Sequence, residues 1–445
     1  NLIKIMSKKG VLKIIYFLGD IFLMYLSLFL ALVLRHRNLY FWTETQLNNF
    51  FFHFSFIFLF WVVILYIFDF YEVSLIKKFS QFFYNLFIFI FLASVLGTAY
   101  FYLVPKTLVS PKTILFLSVF FFAILFFLWR YLLNQILKLK NFKEKIILVL
   151  SSEELNYLLP EIKNKRGYEI VKIFDNNSFD VSEIKKLAEK EKAKTIIFSN
   201  SFYKDKNFIN EFVLNFSFKL NLLSFVDFYE ILAQKILIEF IDNDWVLDNI
   251  LKPDKKIEEF TKRCFDILFS FIGFLIFLVL LPFVALIIKI DSDGPVFFNQ
   301  RRVGKNRKIF TLYKFRTMKT SKDEKEKLWR EKDEKEITRV GKFLRRFHLD
   351  ELPQFLNILK GDLSFVGPRP EWEKLDEIFI KEIPFYSLRY LVKPGFTGWA
   401  QLKFPPSTSV KEAKEKFKYD LYYIKNRNFF MDLGIILKTI QLFFR

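Results

Sequence analysis

Two adjacent carboxylates set among arginines carry the densest chemistry in this chain. Residues 344–370 read LRRFHLDELPQFLNILKGDLSFVGPRP, which places Asp350 and Glu351 just after Arg345 and Arg346. Arg369 follows, flanked by prolines that stiffen its backbone. Carboxylates amid guanidinium groups suit phosphate chemistry, because one acid can attack phosphorus while the other holds a hard cation. Guanidinium forks in turn match phosphate oxygens bidentately. Leu352, Phe355, Leu356 and Leu359 recur at helical spacing up to Gly361, and Pro353 fits only in the first turn. Asp350 is therefore expected at or near a helix N-cap. Two readings stay open there: ordinary capping by an Asp, or a helix N-terminus that gathers anions with the help of the arginines.

The flanking segments add cations. QRRVGKNRKIFTLYKFRTMK (300–319) supplies Arg301, Arg302, Lys314 and Arg316, while Arg307 and Lys308 serve equally well as an electrostatic footprint on lipid headgroups. Downstream, KPGFTGWAQ (393–401) reads as a glycine-hinged loop whose Trp399 is expected to pack against its own domain.

Composition says where this chemistry takes place. Hydrophobic residues make up 53% of the 445, and phenylalanine alone contributes 62 against 13 glycines. Such a chain is expected to be an integral membrane protein. The formal net charge of +20 sits beside hydrophobic segments, where polybasic runs meet anionic lipid, and no sequence-specific nucleic-acid motif accompanies it. An anionic bilayer, not nucleic acid, is the expected partner. One cysteine, Cys264, excludes an internal disulfide and a cysteine-based zinc site. Of three histidines, His36 and His53 flank apolar stretches and only His348 lies near the acid pair. A metal centre here would use oxygen ligands, which favours Mg²⁺.

Three regions must position these residues. Residues 1–142 hold four apolar segments, Val11–Leu34, Phe50–Phe68, Phe82–Val104 and Ile114–Leu133, each about long enough to cross a bilayer. The first is too long for a signal-peptide core. Lys4, Lys8, Lys9 and Lys13 precede the set, and Lys138, Lys140, Lys143 and Lys145 follow it. Both ends are therefore expected on the cytoplasmic face, although Arg35 and Arg37 then fall outside. Residues 143–250 alternate strand-like runs (145–150, 168–174, 194–200, 220–226) with charged helical stretches, as a doubly wound α/β domain does. The turn after its first strand reads SSEEL and has no glycine, so a dinucleotide is not expected there.

Residues 251–445 carry the chemistry. A fifth apolar stretch, 265–290, contains Pro282; Lys262 and Arg263 precede it, and residues 300–320 hold eight Lys/Arg and no acid. Both flanks then belong on one face, which predicts a re-entrant helix broken at Pro282. The run 321–339 reads as a solvated charged segment, and 433–444 as an interfacial helix.

KRCFDI, GPVFFNQRRVG, YKFRTM, LDELPQ, GDLSFVGPRP, KPGFTGWAQ and DLYYIKN occur in this order across about residues 257–445. In that order they resemble the bacterial polyprenyl-phosphate hexose-1-phosphate transferases, and the whole chain is similar to that family's long members. The resemblance implies four transmembrane helices, a degenerate Rossmann-like α/β domain, and an α-rich catalytic domain with a re-entrant membrane helix. It implies that Asp350 is the nucleophile, that Glu351 helps bind Mg²⁺, and that Arg369 contacts the nucleotide diphosphate. The donor would be a UDP-sugar and the acceptor polyprenyl phosphate, at the bacterial inner membrane with the catalytic domain on the cytoplasmic side. Arg345, Lys314, Arg316 and Arg301 are the further expected substrate contacts, and a homodimer is the expected assembly. A catalytically decayed scaffold for glycan-assembly proteins is the competing reading.

Overall fold

The computed structural model describes residues 8–35, 44–71, 79–104, 111–139, 143–165, 167–175, 179–204, 220–251, 256–319 and 336–442. Arg37, His36 and the charged run through residue 335 lie outside them. The chain divides into two compact units, residues 1–144 with 165–167, and residues 145–164 with 168–445.

The first unit is built on helices α1 (Lys8–Arg35), α2 (Glu44–Ile67), α3 (Phe79–Leu103) and α4 (Pro111–Leu139). None has a proline in its interior, and Pro111 stands at the first position of α4, where its missing N–H costs nothing. All four are long and apolar enough to cross a membrane. Aromatic rings fill the space between them: Trp61 meets Phe89 at 5.7 Å and Phe122 at 5.3 Å. α1 lies close to α4 because residue 19 is glycine; a Cβ there would stand 2.5 Å from the Trp129 ring. Asp20 and Arg130 form a buried ion pair in this bundle at 2.5 Å, and the Arg130 guanidinium lies over the Tyr16 ring. The hydropathy pattern gave no notice of that pair. Its two members are 110 residues apart and each is isolated among apolar neighbours.

The second unit begins with a sheet of β1 (Glu144–Leu150), β2 (Tyr168–Asp175), β3 (Thr195–Phe198) and β4 (Asn221–Ser224), in the order β2-β1-β3-β4. β1 and β3 pair in parallel, with Ile147 opposite Ile196, and β3 and β4 likewise, with Ile196 opposite Leu222. The two-residue period of a strand sorts β1 onto two faces. Ile146, Leu148 and Leu150 meet Leu158 and Ile162 of α5 (Ser152–Lys165), whereas Ile147 and Val149 meet Val181 and Ile184 of α6 (Val181–Glu191). The first face also receives Phe379, Tyr386 and Phe417 from the C-terminal region, so the sheet and that region share one core. In the SSEEL turn, Glu154 accepts from Ser151 N at 2.9 Å and from the Ser199 hydroxyl at 2.8 Å. A side-chain carboxylate thus closes the turn in a capping-box arrangement.

After α7 (Phe225–Ala233) and α8 (Asn243–Asn249) comes α9 (Lys256–Asp291), a fifth helix long and apolar enough to cross a membrane. The break expected at Pro282 is not present as an interruption: the helix runs through it for 36 residues. A proline removes one backbone donor, and the bonds on either side suffice to carry a long apolar helix past it. Both ends of α9 are tied to the C-terminal region. Near its start, Lys262 donates to Val366 O at 2.9 Å and pairs with Asp432, and Arg263 donates to Ile358 O at 2.7 Å and Leu359 O at 2.8 Å. At its last residue, Asp291 accepts from Val340 N at 3.0 Å, and just past it Ser292 O accepts from Arg316 at 2.7 Å.

The basic segment forms a β-hairpin, β5 (Phe297–Val303) and β6 (Ile309–Phe315), paired from Phe297 with Phe315 to Val303 with Ile309. Asn306 and Arg307 take positive φ at its tip. The alternation of FFNQRRV and IFTLYKF around GKNR is a hairpin signal that the charge had obscured.

Candidate active site

The acid pair is positioned by a tight change of direction. α10 (Arg339–Arg346) ends at Phe347, His348 adopts a left-handed conformation with φ 54°, and Leu349–Glu351 form one 3₁₀ turn. Pro353 then precedes α11 (Gln354–Lys360), which Gly361 closes at φ 93°. Asp350 is therefore not the N-cap. That position belongs to Pro353, which offers no side-chain cap, so the capping reading is overturned. The left-handed His348 inserts an extra turn that helical spacing alone did not reveal. Asn357 and Ile358 are buried, whereas Leu352, Phe355, Leu356 and Leu359 are only half-buried. Asn357 anchors α11 to β6 by accepting from Tyr313 N at 3.1 Å and donating to Thr311 O at 2.7 Å. Phe355 rests on α9, where a Cβ at Gly273 would come within 2.7 Å of its ring.

Two expected cations converge on the pair. Lys314 from β6 reaches Glu351 Oε1 at 2.6 Å, and Arg369 reaches the same oxygen at 2.9 Å. Asp350, also buried, has no salt bridge among the described residues. The neighbours thus sit in opposite electrostatic environments. Burial would push the Glu351 carboxyl up, but Arg369 and Lys314 outweigh it and hold the carboxyl well below the usual range. Burial pushes the Asp350 carboxyl up, and Lys314 offsets that only in part. Burial also lowers the Lys314 ammonium, opposed by Glu351.

The other expected contacts divide. Arg345 donates to the Thr317 hydroxyl at 2.8 Å and acts on Asp350 through its charge. Arg316 is turned away and buried; it holds the carbonyls of Ser292 and Asp293 beyond α9. Arg301 is two-thirds exposed and pairs with Glu373 at 3.0 Å, apart from the acid pair. Strand alternation alone would put Lys314 and Arg316, two residues apart, on one face; they part because β6 ends at Phe315 and Arg316 lies beyond it. Trp399 packs as expected: it is buried and donates from Nε1 to Gln234 O at 3.0 Å.

Arg369 leaves a tightly packed turn. β7 (Ser364–Val366) and β8 (Gly395–Thr397) pair in parallel, and Gly367 sits so close to Lys393 that a Cβ would stand 2.4 Å from its carbonyl oxygen. Sequence reading missed the groups beneath this turn. Arg302 donates to Pro370 O at 2.9 Å, Arg389 to Arg369 O at 2.9 Å, and Lys416 to Glu371 at 2.8 Å. Burial would raise Glu371, yet Lys416 and Arg389 bring it down to about 2. Arg302 lay in view as a basic residue. Arg389 and Lys416 carry no local signal, since 20 and 45 residues separate them from the groups they hold.

The oxygen donors here suit a hard cation. Among the described residues no three or more His, Cys, Asp or Glu side chains gather as a metal cage. Adjacent Asp and Glu carboxylates match the sparse protein contribution that Mg²⁺ accepts when substrate phosphates and water complete its shell.

Comparison with known proteins places this geometry. Residues 257–445 match the family model described as bacterial sugar transferase. The chain is 42% identical over 185 residues to a UDP-N-acetylgalactosamine-undecaprenyl-phosphate N-acetylgalactosaminephosphotransferase of Aeromonas hydrophila, covering 42% of this chain and 44% of that protein. It is 38% identical over 190 residues to the UDP-glucose:undecaprenyl-phosphate glucose-1-phosphate transferase of Escherichia coli (strain K12), covering 42% and 41%. It is 41% identical over 185 residues to an exopolysaccharide production protein, PSS, of Rhizobium leguminosarum bv. phaseoli, covering 40% and 92%. The matches thus span less than half of the first two relatives and nearly all of the third. With 92% of the Rhizobium protein matched at 41% identity, and residues 257–445, which hold the acid pair, matched by the family model, the chain belongs to the bacterial sugar transferase family.

Proposed function

We propose that the chain transfers a sugar 1-phosphate from a UDP-sugar to polyprenyl phosphate, in two displacements at Asp350. One observation carries this reading: of two buried neighbouring carboxylates, Glu351 takes both cations and Asp350 has no salt bridge among the described residues. An unpaired carboxylate has no ion pair to break before it attacks. In the first displacement an Asp350 oxygen bonds to the β-phosphorus, the bond from that phosphorus to the bridging oxygen breaks, and UMP leaves. In the second, a polyprenyl phosphate oxygen bonds to the same phosphorus and Asp350 departs as the free carboxylate. The product is a polyprenyl-diphosphate sugar. Arg369 and Lys314 hold Glu351 in place and offset charge that would repel an anionic nucleophile from a diphosphate. Glu351, with Asp350 beside it, would hold Mg²⁺, which when bound neutralises phosphate oxygens. The names of the Aeromonas and Escherichia relatives, which specify UDP-sugar donors and undecaprenyl phosphate, support the substrate classes.

The acceptor is lipid-borne, so the site belongs at headgroup level. The lysine runs flanking the first unit support a cytoplasmic face of the bacterial inner membrane. The attachment of both ends of α9 to one region supports entry and exit on a single leaflet, with Pro282 as the bend. Impermeant thiol labelling of single cysteines at the two flanks of α9 should report the same side; labelling from opposite sides ends that topology. We take the assembly to be a homodimer.

Incubation with UDP-sugar alone tests the chemistry. Intact mass analysis should show one hexose-phosphate adduct, mapped by digestion to Asp350, with stoichiometric UMP release. Unmodified protein, with UMP formed only once lipid acceptor is added, rules out the covalent route.

A further inference from the structure

We infer that Arg389 is a positioning residue that fixes the backbone of Arg369 for the transfer. The inference rests on the reading that Arg369 acts at the transferred diphosphate, and it extends that reading to a group that touches no substrate. Arg369, Pro370 and Glu371 are held by three cations from three separate elements. Arg302 comes from β5, Arg389 from the 3₁₀ segment Tyr386–Leu391, and Lys416 from α12 (Val410–Asn426). Two of them clamp consecutive carbonyls, Arg389 on Arg369 and Arg302 on Pro370, both at 2.9 Å, and Lys416 takes the next side chain, Glu371, at 2.8 Å.

Arg389 is the buried centre of this rack, 5% exposed. Its Nη1 donates to the Tyr386 hydroxyl at 2.6 Å, and its Nη2 lies 3.0 Å from Asp420 and 3.6 Å from Glu371. Burying so many charges is costly, and a well-packed apolar cluster of similar volume serves stability as well or better. What the charges provide is a fixed direction. The Arg369 side chain stays one-third exposed and must span the gap to Glu351, so its aim depends on a rigid backbone. The tight Gly367 turn fixes that backbone on one side and Arg389 on the other. A displacement on the order of 1 Å at a positioning group costs about 100-fold in rate.

Arg389→Met alone strands Asp420, so the test variant is Arg389→Met with Asp420→Asn, which removes the ion pair as a unit. It is built in the wild-type and in the Arg369→Ala background, and the chemical step is measured by single-turnover UMP release from UDP-sugar. Arg369→Ala must by itself slow that step; if it turns over at the wild-type rate, the parent reading of Arg369 fails. The positioning role predicts a loss of about tenfold or more in the wild-type background, at unchanged melting temperature, and no further loss in the Arg369→Ala background. An equal loss in both backgrounds, or no loss in the first, overturns it. If the pair variant melts well below wild type, Arg389→Lys in the same two backgrounds decides by the same criterion, since an ammonium keeps the charge but cannot span both the carbonyl and Tyr386.

Discussion

Asp350→Asn is expected to slow UMP release by on the order of 10³-fold or more while leaving the protein at least as stable as wild type. The amide keeps the shape of the carboxyl but lacks the anionic oxygen that bonds to phosphorus. The stability sign follows from the environment. Burial raises the Asp350 carboxyl above its ordinary 3.8, so the fold disfavours the ionised form. Such a group makes the folded state gain stability on protonation and lose it as pH rises above 3.8, until the carboxyl is fully ionised in the fold. Asparagine holds the neutral form at every pH, so its melting temperature at neutral pH should match or exceed that of wild type. Turnover within tenfold of wild type would remove Asp350 from the chemistry. A melting temperature several degrees lower would show that the side chain holds the fold together.

Its neighbour should behave in the opposite way. Glu351→Gln is expected to lower stability by about 3 kcal/mol and turnover by about 100-fold or more. The substitution leaves Lys314 and Arg369 facing a neutral amide in a largely dry site. The figure is set at the lower end for a broken buried pair because Arg369 keeps 36% of its side chain exposed. The Glu351 carboxyl is held below its ordinary 4.5, so its contribution is fully present above that value and is lost as pH falls below it. The gap between wild type and Glu351→Gln in chemical denaturation should therefore be constant from pH 6 to 8 and narrow under acid. A variant as stable as wild type at pH 7 would mean that the two cations are satisfied elsewhere and that Glu351 is no clamp. The pair of substitutions is informative together, because one residue is tuned to react and the other to hold.

Much of this architecture could be read from local pattern. The four apolar segments became α1 to α4 with boundaries shifted by a few residues, since twenty apolar residues in succession have one stable arrangement in lipid. The strand-like runs at 145–150, 168–174, 194–200 and 220–226 became the four-stranded sheet, although the last turns helical at Phe225. Charge misled in one place: the hairpin at 297–315 was hidden because its alternating pattern is written in arginine and lysine as well as in Phe and Leu. Pro282 marks no interruption of the element, since it sits within a helix whose hydrogen bonding continues past it.

The sequence by itself determined the inventory. It supplied two adjacent carboxylates, the cations Lys314, Arg345 and Arg369, a proline-stiffened turn, and a chain apolar enough for membrane. Residue type and short-range spacing are properties of the string, so they survive without coordinates. Only the tertiary structure decided which cation serves which acid. Lys314 stands 37 residues from Glu351 and Arg389 stands 20 from Arg369, and no local periodicity encodes such distances. The same folding turned Arg316 towards the end of α9, moved Asp350 off the helix cap, and left it without an ion-pair partner among the described residues. Pairing buried charges is a matter of three-dimensional approach and lost hydration, and both exist only once the chain has closed around them.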